Sequence, residues 1–236
     1  MKQFSDLLFL DIETAAAYKS FDELPERMQK LWTKKASFLR NPNELSPAEL
    51  YGQAGIYSEF GKIISIAVGY FKEEENGFSL RVKDISSHDE IEILTEFKTL
   101  VEEKFKSKKL RLCAHNGKEF DFPYIARRMI INGIEVPKTL QMSGKKPWEI
   151  PHLDTMEMWK FGDYKHFTSL DLLAAILNIP TSKDDIDGSQ VNRVYYEEND
   201  LERIAKYCKK DVIVLAQVFL KLNQFPAIKN DDIFII

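Results

Sequence analysis

The N-terminal segment Ser5 to Ile12 (SDLLFLDI) gathers apolar residues into one short run and breaks off into acids, Asp11 and Glu13. It is far shorter than the ~20 apolar residues that span a bilayer, and it lacks the small-residue cleavage site of a signal peptide. The run is expected to be a buried β-strand ending in acidic residues. Two residues apart on a strand, Asp11 and Glu13 project from the same face. Their carboxylates repel each other unless a cation lies between them. A lone D-x-E triplet is common at solvated strand ends, so this one gains weight only from the residues that join it.

Further along, Lys62 to Phe71 (KIISIAVGYF) is rich in β-branched and aromatic residues and reads as a strand. The segment EEENG then turns the chain into a second strand, Phe78 to Ile85. Between these and the first strand, residues 18–60 carry Phe21, Leu24, Met28, Leu31 and Trp32 at helical spacing, followed by Pro42 and Pro47. That pattern predicts a helical insertion after the first strand. Ser87, with Glu90 three positions on, predicts the N-cap of a helix over 88–106. Leu110 to Ala114 is the next expected strand, and a helix follows from Asp121 to Asn132, stopped by Gly133. Residues 134–150 read as loop, His152 to Thr155 as a short strand, Thr168 to Leu177 as a helix and Asn178 to Ser189 as a polar loop. The last helix is expected from Asn199, with Glu202 as its capping partner, to about Leu222, leaving 223–236 as a C-terminal tail. A hairpin followed by strands alternating with helices predicts an α/β fold, a three-layer domain with a central mixed β-sheet flanked by helices. Residues 1–236 are expected to form one domain.

Two acids and a tyrosine distant from the first pair complete a pattern. Asp121 opens its helix, where capping and the helix dipole already favour an acid. Tyr207 and Asp211 lie four apart on the last helix, one position before Cys208 and Val212 of its apolar stripe (Leu201, Ala205, Cys208, Val212, Leu215, Phe219, Leu222). Each has an ordinary structural explanation alone. Together Asp11, Glu13, Asp121 and Asp211 form the oxygen donor set that hard divalent cations such as Mg²⁺ prefer. Two such ions about 3.5–4 Å apart can activate water and stabilise the leaving oxygen of an in-line displacement at phosphorus. A phenol such as Tyr207 beside the attacking water can orient it without taking its proton, because a pKa of about 10 keeps the phenol protonated.

The order of DIET, then N-x-x-x-F-D-x-P-Y-I, then Y-C-K-K-D resembles the DEDDy 3'→5' exonucleases of the ribonuclease H-like superfamily. Asp11 and Glu13 match the first motif, Asn116, Phe120 and Asp121 the second, and Tyr207 and Asp211 the third. The similarity is closest to stand-alone predicted exonucleases related to the proofreading domain of family-B DNA polymerases. It implies a ribonuclease H-like sheet, two Mg²⁺ or Mn²⁺ ions held by Asp11, Glu13, Asp121 and Asp211, and release of nucleoside monophosphates from the 3' end of single-stranded DNA. It also implies that Thr14, Asn116 and Phe120 contact substrate; Phe120 could stack on a terminal base or belong to the core. The same chemistry on RNA, and a catalytically silent nucleic-acid-binding module, are the alternatives. The insertion at 18–60 departs from the simplest members and bears on substrate choice.

A net charge of −4 argues against a protein that coats nucleic acid by bulk charge, though not against an enzyme that binds through metal ions. Arg127, Arg128, Lys34 and Lys35 are the basic residues first expected to meet phosphates, ahead of Lys104–Arg111 and Lys145–Lys146. Asp154 is expected to cap a helix, and His115, His152 and His166 to be structural. Cys113 and Cys208, far apart in apolar contexts, fit a reducing compartment. A cytoplasmic protein without a membrane anchor is expected.

Overall fold

Alternation along β1 (Leu7–Ala16) decides which side of the sheet each residue serves. Leu8, Leu10 and Ile12 enter one core cluster, while Leu7 and Phe9 enter a second on the opposite face. Asp11 and Glu13 continue the second series. The computed structural model describes residues 4–75, 77–105, 110–163, 167–181 and 186–236.

The other strands are β2 (Gly61–Glu74), β3 (Gly77–Ser86), β4 (Arg111–Ala114), β5 (Leu153–Asp154) and β6 (Ile233–Ile235). They form one mixed sheet in the order β5-β4-β1-β2-β3-β6. β2 is antiparallel to β1 and β3, while β4, β5 and β6 pair in parallel. The helices are α1 (Glu26–Ala36), α2 (Pro47–Leu50), α3 (Glu90–Thr99), α4 (Asp121–Ile131), α5 (Thr155–Lys160), α6 (Leu170–Ile176), α7 (Val191–Arg193) and α8 (Leu201–Leu222). Ile93, Leu94 and Phe97 of α3 and Phe122, Ile125 and Met129 of α4 cover one face of the sheet. Cys208, Val212, Leu215, Ala216 and Phe219 of α8 cover the other. This is the expected three-layer α/β arrangement. α8 lies close on the sheet at Gly69, where an added Cβ would stand 2.7 Å from Val212.

Several boundaries differ from expectation. β1 runs on to Ala16, so the acids stand within the strand and not at its end. Its partner β2 continues to Gly61 and carries an extra residue where Glu13 faces Ser65 and Thr14 faces Ile63. α3 is capped by Asp89, which accepts from the Ile91 amide at 2.8 Å, and not by Ser87. Glu90 is unavailable for a capping box because it turns inward: it accepts from the Ile63 amide (2.7 Å) and from both Nε and Nη2 of Arg128 (2.8 and 2.5 Å). The cap of α8 is Asp200, accepting from the Arg203 amide at 3.0 Å, because Asn199 takes a left-handed φ of 53° just before it. The helical stretch at 191–198 differs from the expected reading, in which no helix lies between 178 and 199. The tail expected at 223–236 contributes β6, which pairs with β3 through Leu80, Arg81 and Val82.

The insertion is helical as predicted, with short 3-10 turns at Phe21–Glu23 and Tyr51–Ile56 around α1 and α2. It has its own core of Leu24, Trp32, Leu50, Tyr51 and Phe60, and the Trp32 indole donates to the Pro47 carbonyl at 2.7 Å. Arg128 ties it to the sheet by donating to the Ser58 carbonyl at 2.9 Å. Among the described residues no helix is long and apolar enough to cross a membrane.

The Glu90–Arg128 pair is buried, so Arg128→Ala leaves an uncompensated carboxylate inside. It should lower stability by about 3–5 kcal/mol in urea denaturation. The double change with Glu90→Ala should lose less than the sum of the two single changes.

Candidate active site

Continuation of the Leu7–Phe9 series aims Asp11 and Glu13 at α8, and Cys208 of its apolar stripe meets them. Carboxylate oxygens of Asp11 and Glu13 and the Cys208 sulfur all lie within 4.8 Å of one another. The sulfur is 3.4 Å from both the Asp11 carboxylate and its carbonyl oxygen. Asp121, 3% exposed at the start of α4, takes a hydrogen bond from the Ile12 amide. Asp211 and Tyr207 come from the first half of α8, and the Tyr207 hydroxyl is hydrogen-bonded to the Asp211 carboxylate.

Electrostatics join these groups. Burial, and then the charges of Glu13, Asp121 and Asp211, push the Asp11 carboxyl well above the usual range. Burial followed by Asp211 and Asp121 does the same to Glu13. Asp121 is pushed up to about 7, chiefly by burial, with Asp154 adding and the amides of Asp121 and Ile12 opposing. For Asp11 the one interaction favouring its charged form among the described residues is the Cys208 thiol. Burial, then Asp211, Glu13 and Asp11, raise the Tyr207 phenol far above its ordinary value, so it stays a hydrogen-bond donor.

A cleft of about 680 Å³ opens over this group. Asp11, Glu13, Thr14, Phe120, Tyr207 and Asp211 line it, together with Gly52, Gln53, Gly55 and Ile56 of the insertion and Gly188, Ser189 and Asn192. Phe120 packs on Tyr124 at 5.4 Å between centroids, so it is both a cleft residue and a partner of the core. Thr14 hydrogen-bonds to the Tyr124 hydroxyl. Asn116 is not among the lining residues: it takes a left-handed φ of 63° and its amide donates to Asp154 at 3.0 Å. Asp154 caps α5 through the Met156 and Glu157 amides, as expected.

His115 and His152 are both held low by burial and bonded to backbone carbonyls, of Thr168 (2.8 Å) and Thr139 (2.7 Å), in keeping with structural roles. His166 lies outside the described residues. Arg128, one of the expected phosphate contacts, is spent on Glu90, and Arg111 pairs with Asp6 at 2.7 Å. Arg127 lines a separate hollow with Pro123 and Ile130 on the outer side of α4, away from the acids. Lys35 sits over the Tyr57 ring at 4.3 Å. Sequence reasoning missed Cys208, the Tyr51–Ile56 turn and Asn192. Of these Cys208 had a signal: strand alternation aims Asp11 at the apolar stripe of the last helix.

The fold and the sequence are similar to those of known proteins. The family B DNA polymerase from the hyperthermophilic archaeon Pyrobaculum calidifontis is similar in structure, with a TM-score of 0.52 and 14% identity over 91% of this chain and 24% of that one. The chain thus spans about a quarter of that polymerase's length, and the likeness establishes the fold, a ribonuclease H-like domain. Residues 56–232 match a family model described as a predicted 3'-5' exonuclease related to the exonuclease domain of PolB. The chain belongs to this family of predicted nucleases. Asp121, Tyr207 and Asp211 fall inside the match, while Asp11 and Glu13 precede it.

The donor set fits hard divalent cations. Buried or half-buried carboxyls from β1, α4 and α8 supply oxygen ligands and repel one another without a counter-charge. Burial and the charges of Asp11 and Glu13 raise the Cys208 thiol, which stands beside Asp11 as a hydrogen-bond donor. In chelated protein the folded acids hold protons more tightly than the unfolded chain. Their stabilising contribution is therefore full at low pH and lost as pH rises through about 7. The depressed histidines act in the opposite sense, below about pH 6.5. The melting temperature in EDTA should fall from about pH 6.5 to pH 8, and added Mn²⁺ should raise it more at the upper end. Parallel EDTA and Mn²⁺ curves would refute this account of the acids.

Proposed function

We propose that the chain is a 3'→5' exonuclease that removes nucleoside monophosphates from single-stranded DNA. Asp11, Glu13, Asp121 and Asp211 would hold two divalent cations, Mg²⁺ or Mn²⁺. The observation that carries the reading is the mutual crowding of these carboxyls beside a protonated tyrosine, with Asp11, Glu13 and Asp211 lining an open cleft and Asp121 buried behind them. The family's stated relation to the exonuclease domain of a DNA polymerase supports DNA as the polymer.

Cations held by these acids would neutralise them, lower the pKa of a water and stabilise charge on the leaving oxygen. The chain's own residues do the positioning. Asp11 and Glu13 share one strand face, so the sheet fixes their separation, and the Cys208 thiol orients the Asp11 carboxylate. Asp121 is held by the Ile12 amide. Tyr207 keeps its proton across the physiological range and donates, to Asp211 in this structure and to the attacking water or a phosphate oxygen during reaction. Thr14 and Phe120, lining the cleft, would contact the terminal nucleotide. Asn116 would act through the turn that sets Phe120 and Asp121, its carbonyl accepting from the Phe120 amide at 3.0 Å.

A time course with 5'-labelled single-stranded DNA should show stepwise 3' shortening that EDTA abolishes and Mg²⁺ or Mn²⁺ restores. Asp11→Ala and Asp211→Ala should remove activity. Tyr207→Phe should retain some, slowed about 10²-fold, the order of one lost transition-state hydrogen bond. Shortening that survives Asp211→Ala, or a parent protein that leaves both DNA and RNA intact in either metal, contradicts the proposal.

A further inference from the structure

A surface helix ordinarily turns charged side chains to solvent on the face opposite its apolar stripe. α4 departs from this. Phe122, Ile125 and Met129 pack into the core, and Arg128 turns inward to Glu90. The remaining face carries Pro123, Ala126 and Ile130, with Arg127 as its one charged residue. Ile130 is 69% exposed, and Ile131 beside it is exposed as well. The helix is thus apolar on two sides, and only one of them is covered by the sheet.

The chain after α4 supplies a second wall. Leu140, Met142 and Ile150 line, together with α4, a hollow of about 570 Å³, a volume within the range of ligand pockets. This wall is fixed in place. Leu140 is buried and its amide donates to the Pro137 carbonyl at 2.8 Å, while the Thr139 carbonyl is bonded to the His152 ring at 2.7 Å.

The charge around the hollow is of one sign. Lys118 and Arg127 line it, and among the described residues no carboxylate does, in a chain of net charge −4. Lys145 and Lys146 follow on the second wall's own segment, and neither they nor Arg127 form an ion pair with a described residue. Aliphatic walls with a basic margin suit an acidic partner that carries apolar side chains, and the flexible Met142 side chain can adapt to their shape. A nucleic-acid strand is a poorer match, because bases stack on flat aromatic faces. No aromatic ring lines the hollow among the described residues, and the nearby exposed Trp148 already has Lys146 over its ring at 5.2 Å.

We infer that the hollow between α4 and the 136–150 segment docks an acidic peptide segment of a partner protein. Large apolar side chains of that segment enter the hollow, and flanking Asp or Glu carboxylates meet Arg127 and the lysines. None of the residues that line the hollow lines the cleft over the acids, so a partner held there leaves the cleft open. The inference stands apart from the exonuclease reading, and neither falls with the other.

The test selects short random peptides displayed on phage against the full chain, then measures the best of them by anisotropy as fluorescein-labelled synthetic peptides. Enriched sequences should combine large apolar residues with Asp or Glu. Ile130→Asp and Arg127→Glu, both at exposed positions, should each weaken binding about tenfold or more, as loss of a central apolar or arginine contact does. Raising the salt concentration should weaken it too. Absence of enrichment over an unrelated immobilised protein, enriched sequences without acids, or binding that either folded variant leaves at parent strength overturns the inference. A fluorescein-labelled oligothymidylate that Arg127→Glu weakens while peptide binding holds assigns the face to nucleic acid and overturns it equally. Thermal melting shows which variants fold, and if Ile130→Asp does not, Arg127→Glu decides alone.

Discussion

Carboxylates repel, and the repulsion grows as water is withdrawn. Here Asp11 and Glu13 occupy the same face of a central strand, and α4 and α8 add Asp121 and Asp211 to their surroundings. A fold that assembles such a group needs stronger interactions elsewhere to hold it. The two apolar clusters on opposite faces of the sheet provide them, burying β1 from Leu7 to Leu10 completely before the acids begin. The contact of α8 with Gly69 sets the depth at which Tyr207, Cys208 and Asp211 meet the strand.

The acids are braced from the side as well. The irregularity in β2 opposite Glu13 and Thr14 is pinned where Glu90 accepts the Ile63 amide, and Glu90 is fixed by Arg128, which also holds the insertion through Ser58. On the far side the Asn192 side chain accepts from the Ala16 amide at 2.9 Å, and the Tyr196 hydroxyl donates to the Ala16 carbonyl at 2.7 Å. The end of β1 is thereby clamped between the insertion and the segment before α8. The acids and the Tyr51–Ile56 turn of the insertion thus border the same cleft along this one strand.

Much of this was legible in residues alone. Strand alternation put Asp11 and Glu13 on one face, and the 4-3 spacing of the last helix put Tyr207 and Asp211 at its buried edge. The helical character of the insertion followed from its apolar periodicity. What escaped depended on partners distant in sequence. Glu90 looked like a capping residue because local spacing cannot reveal Arg128, and Arg128 looked like a phosphate contact for the same reason. β1 looked shorter because its last residues gain their strand conformation from β2. The tail became β6 through pairing with β3, and three residues are too few to show a period. Cys208 read as one more apolar residue until tertiary contact placed its sulfur on Asp11.

The crowded carboxyls are proposed to hold divalent cations. Crystals soaked in Mn²⁺ and measured at a wavelength that excites its anomalous signal test this directly. Two peaks among Asp11, Glu13, Asp121 and Asp211, about 3.5–4 Å apart, are predicted. A cleft without an anomalous peak at saturating Mn²⁺, with the four side chains ordered, would contradict it.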